Sequence, residues 1–147
     1  MSLVSNICIA DKSGDNIKIV SSVEVIANKG IVNDRYFSDQ SKKDTQITLI
    51  ESENIDFFNN LSNTSFLPTD FRRNIITKGI KLNNFVGNDI LIGTVRVKAH
   101  RLCDPCKYLQ DLLNQKNLVK NLLNKGGLRC EIKTNGTISI NDLIKVL

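Results

Sequence analysis

One histidine, one methionine, two prolines and no tryptophan are present, and each scarcity narrows what the chain can do. With His100 as the sole imidazole, a zinc finger built on a histidine pair is excluded, and no spacing supports a Ser-His-Asp triad. Aromatic residues make up only 5% of the chain, so few rings are available to stack nucleic-acid bases. No apolar run approaches the roughly 20 residues that cross a bilayer. The opening MSLVSNICIADKSGD also lacks the basic flank and long apolar stretch of a secretory signal. The expectation is a cytoplasmic protein with no membrane partner. In that compartment the four cysteines are reduced thiols, and catalysis or ligation outranks a disulfide framework. Neither a phosphate-cradling glycine loop nor a metal-binding carboxylate cluster is present in the sequence.

What is there suits an ordinary globular fold. The length of 147 residues, with 41% hydrophobic and 24% charged residues, predicts a single domain spanning 1–147. The net charge of +5 favours anionic partners. Most basic residues are dispersed, but DFRRNIITKGIKL gathers Arg72, Arg73, Lys78 and Lys81. Alternating β-branched and apolar residues mark strands in VSNICIA, IKIVSSVEVIA, TQITLIE, RNIIT, DILIGTVRVKAH, GLRCEIKT, TISI and DLIKVL. Asn135-Gly136 reads as a hairpin turn between two of them. ESENIDFFNNL sets Ile55, Phe58 and Leu61 on one helical face, and the leucine-rich stretch from Leu109 to Leu123 reads as one helix or two. The fold class is therefore mainly β with helices (α+β), an antiparallel β-barrel with short packed helices.

The stretch RLCDPCKYL carries two cysteines three apart. That spacing serves a metal clip, a redox dithiol or one reactive sulfur beside a bystander. Asp104 suits a helix N-cap and Pro105 the first helical position, which sets Cys106 inside the first turn, where the helix dipole and Lys107 favour a thiolate. The plain alternative is that both are small buried hydrophobes. A structural zinc site would have to draw Cys8, Cys130 and His100 from separate segments. A thioredoxin-like dithiol needs parallel βαβ units that the strand-turn-strand pattern does not provide. His100 alternates with Arg96 and Lys98 on what reads as the polar face of a strand.

Together, KGIVNDRYF, QITLIESENI, DFRRNIITKGIKLNNFVGNDILIG, CDPCKYL and GGLRCEIKTNGTISINDLI resemble, in order and spacing, the MOSC domain, the C-terminal domain of molybdenum cofactor sulfurases. The resemblance implies a β-barrel that binds the molybdenum cofactor (molybdopterin), or carries sulfur destined for it, with Cys106 as catalytic residue and metal or sulfur ligand. It also implies cofactor-binding roles for Arg72, Arg73 and Asn74, the arginines suiting a pterin phosphate, and for Lys29, Asp34 and Arg35. Asn33, Tyr36 and Asn141 stand where the family usually has Gly, His and Gly. The implied activity is that of a molybdenum-dependent oxidoreductase reducing N-oxygenated compounds, or of a sulfurtransferase. A desulfurase or a redox protein is the implied partner. The large pyridoxal-phosphate domain of a sulfurase does not fit in 147 residues, so no pyridoxal phosphate is expected in this chain. A cofactor would then lie in an open site, in the cleft of a homo-oligomer or against a partner. Two rival readings are a small basic β-barrel binding nucleic acid and a CxxC thiol redox protein.

Overall fold

Strands form where the alternation places them, and the computed structural model describes residues 1–147. The first half of the chain holds β1 (Leu3–Ile9), β2 (Lys18–Val20), β3 (Ser22–Ile26), β4 (Gly30–Ile31), β5 (Ile47–Glu51), α1 (Ser52–Ser62) and β6 (Ile75–Lys78). The second half holds β7 (Asp89–Ile92), β8 (Val95–Leu102), α2 (Lys107–Leu112), α3 (Leu118–Asn121), β9 (Leu128–Ile132), β10 (Gly136–Ser139) and β11 (Ile144–Val146). Eight strands make one curled sheet in the order β11-β7-β8-β9-β5-β6-β1-β2. All neighbours are antiparallel except β5 and β6, which helix α1 connects in parallel. Backbone bonds from Val4 N–H to the Asp142 carbonyl (3.0 Å) and from Ile144 N–H to Ser2 (2.9 Å) bring the β11 end round to β1. A smaller sheet, β10-β3-β4, packs Val23, Val25, Ile31 and Ile138 onto the same interior.

Side-chain alternation divides the buried residues of β1, β5 and β6 between two cores. Ile7, Leu49 and Ile75 point into the curl, while their neighbours Cys8, Ile50 and Ile76 point out beneath the helices. Ile55 and Phe58 of α1, Leu109 of α2 and Leu118 of α3 cover that outer face, and Phe58 meets Phe71 edge-on with ring centroids 6.0 Å apart. Burying each such side chain contributes about 1.5–3 kcal/mol. Strands covered on both faces read as nearly unbroken apolar runs, which explains ICIA and ITLI in the sequence.

Two local expectations, at Asn135-Gly136 and Leu61, differ from the structure, and the choice between one helix and two in the leucine-rich stretch is resolved. Asn135-Gly136 does not close a hairpin: β10 pairs with β3, not β9, and neither residue has the positive φ that a two-residue turn requires. Asn135 instead accepts a 2.7 Å hydrogen bond from Ala27 N–H, stitching the crossing between the two sheets. The leucine-rich stretch forms two helices, broken at Asn114 in the left-handed region (φ 52°), so Leu112 and Leu123 are exposed. Leu61 is also exposed, because the core beneath α1 ends at Phe58.

Gly127 (φ 99°) lets the chain pass directly over β5, where a Cβ would overlap the Leu49 carbonyl. Gly127→Ala is expected to destabilise the fold by at least about 2 kcal/mol in urea unfolding, combining backbone strain with overpacking. Gly87→Ala, where a Cβ meets nothing within 4 Å, isolates the strain alone and should cost less.

Candidate functional site

The CDPC loop lies on the sheet instead of opening the helix. Cys103 N–H donates to the Gly127 carbonyl at 2.7 Å, and a Cβ at Gly126 would overlap the Cys103 carbonyl. Residues 103–105 are thereby held out of helical geometry. Helix α2 starts at Lys107 with Cys106 itself as the N-cap in extended backbone (φ −120°, ψ 158°), so neither the Asp104 cap nor Pro105 at the first helical position is realised. Cys106 is the one exposed thiol. Cys103 is only 2% exposed, matching the plain reading of a small buried hydrophobe. Burial pushes the Cys8 thiol up to about 11, partly opposed by the Arg35 charge, and burial pushes Cys130 up as well.

The arginines divide into different jobs. Arg73 donates to the carbonyls of Gly126 (3.0 Å), Phe71 (3.2 Å) and Asp104 (3.5 Å), a clasp over the root of the cysteine loop. Arg72 donates to the Asp15 carbonyl at 2.9 Å and has no carboxylate partner; neither Asp70 nor Asp34 pairs with it, since Asp70 accepts from Leu67 N–H and Asp34 from Arg35 and Ala10 N–H. Arg72 is also the only residue other than Asn or Gly with positive φ, at 60°. That conformation costs an arginine of order 1–3 kcal/mol.

Behind Arg72 lies a buried support. The Asp34 and Arg35 side chains are 0% and 5% exposed and bond at 3.1 Å, and Arg35 also donates to the Arg72 carbonyl at 2.9 Å and covers the Tyr36 ring at 4.5 Å. Asn33 precedes them at φ 69° and Asn141 has φ 73°, so asparagine meets the left-handed geometry that glycine otherwise supplies. Asn74 is fully buried: its amide oxygen accepts from Thr48 N–H (3.0 Å) and hydroxyl (3.2 Å), and its NH2 donates to the Cys8 carbonyl (3.2 Å). Lys29 pairs with Asp39 at 3.0 Å on the surface and lines neither of the cavities described next.

Two open cavities of about 450 and 340 Å³ adjoin along a cleft, with Gly14, Arg72 and Tyr108 in the walls of both. Ile17, Thr69, Asp70 and Leu112 are among the further residues of one part; Ser13, Arg35 and Tyr36 complete the other. Sequence reasoning found Arg35 and Arg72 but missed Tyr108, whose signal is its position two residues after Cys106 on the helix bordering the cleft. The lining residues between 13 and 17 carried no functional signal in the sequence. His100 is half-buried, 2.8 Å from Glu131, and lines neither cavity. No group of three or more His, Cys, Asp or Glu side chains is placed to hold a metal ion.

The MOSC domain profile matches residues 33–145. The chain belongs to the MOSC domain family. That membership ties it to molybdenum cofactor-related chemistry. Among solved structures, the YuaD protein from Bacillus subtilis superposes with a TM-score of 0.86 at 19% identity, covering 99% of this chain and 96% of its own. YiiM from Geobacillus stearothermophilus gives 0.82 at 16% identity, covering 100% and 75% respectively. YiiM from Escherichia coli gives 0.76 at 15%, covering 100% and 70%. At these identities the likeness is one of fold. A search of the curated proteins gives no match. No helix in this MOSC protein is long and apolar enough to cross a membrane.

Exposure and burial together rank the thiols. Iodoacetamide under native conditions is expected to label Cys106 first, as read by mass spectrometry, with Cys8, Cys103 and Cys130 labelled only on unfolding. For Cys8 the raised pKa adds a pH condition: its thiolate appears only as pH approaches about 11. Earlier modification of Cys103 would contradict this loop geometry.

Proposed function

We propose that this MOSC protein binds the molybdenum cofactor at the cleft, with Cys106 as its single protein thiolate ligand and Arg72 receiving its anionic end. The observation carrying this reading is that Arg72, in a costly backbone conformation and without an ion-pair partner, shares the cleft wall with Tyr108, two residues after the one exposed thiol. The donor set fits the group. A cofactor that brings its own metal ligands asks the protein for one soft sulfur and for phosphate-binding cations, and no multidentate protein cage is needed. When bound, it would supply oxygen-atom or sulfur-transfer chemistry. Arg73 fixes the loop carrying Cys106; Asp34 and Arg35 support the Arg72 turn from behind, Asn74 anchors the start of β6 that follows it, and Lys29, paired with Asp39, takes no direct part. Tyr36 and Tyr108 offer ring faces in the cleft.

A second reading has its own support. Cys106 is exposed and lines neither cavity, which suits handing a persulfide sulfur to or from a partner such as a desulfurase. The two readings separate by what Cys106 carries in protein purified from a molybdenum-replete host, metal and pterin or a persulfide. Oxidoreductase or sulfurtransferase activity, a redox partner and a cytoplasmic location belong to the same proposal.

Arg72→Asn tests the anion assignment without breaking the turn, because asparagine tolerates left-handed backbone. Thermal stability should be kept or raised, while pterin retention weakens roughly 10- to 150-fold, the equivalent of a charge-assisted bond of about 1.5–3 kcal/mol. Full pterin content in that variant would contradict the assignment.

A further inference from the structure

Arg101 on β8 and Arg129 on β9 are direct cross-strand partners. Two like charges in register across an antiparallel pair repel, so the arrangement calls for an anion between them. Only half of that need is met within the chain. Asp44, on the segment entering β5, accepts from Arg101 Nε at 2.8 Å. Arg129 makes no ion pair, and its Nε–H is buried with no hydrogen-bond partner, which makes it the one unsatisfied buried side-chain polar atom of the protein. Such a group costs free energy until an acceptor arrives.

The surroundings are suitably electropositive. Arg101 hydrogen-bonding, with Arg129 adding its charge, holds the Asp44 carboxyl below its usual range. Asp104 and Cys103 are the other titratable groups near Arg101. On the far side, Thr48 faces Arg129 across β5, but its hydroxyl is spent on Asn74. The Asp44 and Arg101 side chains are 32% and 50% exposed, so a small ligand can reach them. In the sheet order, β9 and β8 lie two and three strands from β6.

We propose that Arg101 and Arg129 form a second oxyanion site, for a dianionic phosphate, in which the Asp44 carboxylate is a built-in competitor occupying the Arg101 half. A phosphate has enough acceptor oxygens to serve both guanidiniums at once, whereas Asp44 reaches one. Its double charge also matches two cations. The site needs neither Cys106 nor the cofactor, so it stands or falls separately from the proposed function.

The test uses the full chain, reading arginine Nε–Hε NMR signals during titration with inorganic phosphate or glycerol 3-phosphate at constant ionic strength. The Arg129 signal should shift saturably, Asp44→Asn should tighten binding at least threefold, and Arg129→Gln should weaken it tenfold or more by the Arg101 signal. Lys145→Gln, at an exposed cation on β11, should change it less than twofold. Tighter binding of the ester identifies an esterified ligand; tighter binding of inorganic phosphate identifies the free ion. A shift reproduced by chloride, no saturation, or unchanged affinity in Asp44→Asn overturns the proposal. Asp44→Asn retains both arginines, so it decides the matter even where the Arg129 variant fails to fold.

Discussion

The strands β1, β5 and β6 are covered on both faces, and most of the molecule follows from that constraint. Their outward side chains must be apolar or fully bonded, and helices α1 to α3 must lie across them. Where the apolar row stops, Asn74 takes over, bonding to Thr48 on one neighbour and to the Cys8 carbonyl on the other. This buried amide ties three strands together at the end of β6, immediately before which the chain turns through Arg72 and Arg73. A half-satisfied network at that depth would be costly, and here its members meet one another's needs.

That rigid base explains how an exposed cysteine can be positioned accurately on a short loop. The glycines at 126 and 127 let the loop lie against the sheet, Arg73 holds its carbonyls, and only Cys106 projects as an accessible thiol. Precision comes from backbone contacts beneath the sulfur, so the sulfur itself remains free. Arg72 shows the opposite economy, with local backbone preference set aside to keep a guanidinium at the cleft. Strain retained at one residue and supported by a buried ion pair is the pattern expected of a binding position.

Much of this was legible in the residues. Two-residue alternation marked the strands, and the family's motifs marked Cys106 and the arginines. Helix-start rules failed at Asp104-Pro105 because the contact with Gly126 and Gly127, more than 20 residues away in sequence, overrides local preference. Asn135-Gly136 misled for a similar reason, since strand partners are chosen by the whole sheet. The departures at Asn33 and Asn141 became intelligible only as backbone angles. Arg101 and Arg129 gave no sequence signal as a pair, because nothing in one dimension sets them in register.

The proposed function turns on the sulfur of Cys106, and molybdenum K-edge X-ray absorption on protein purified from a cofactor-competent host addresses it directly. The expected spectrum has a sulfur shell around molybdenum that loses one scatterer in Cys106→Ser and is unchanged in Cys103→Ser. An identical sulfur shell in wild type and Cys106→Ser, at equal molybdenum content, would contradict it.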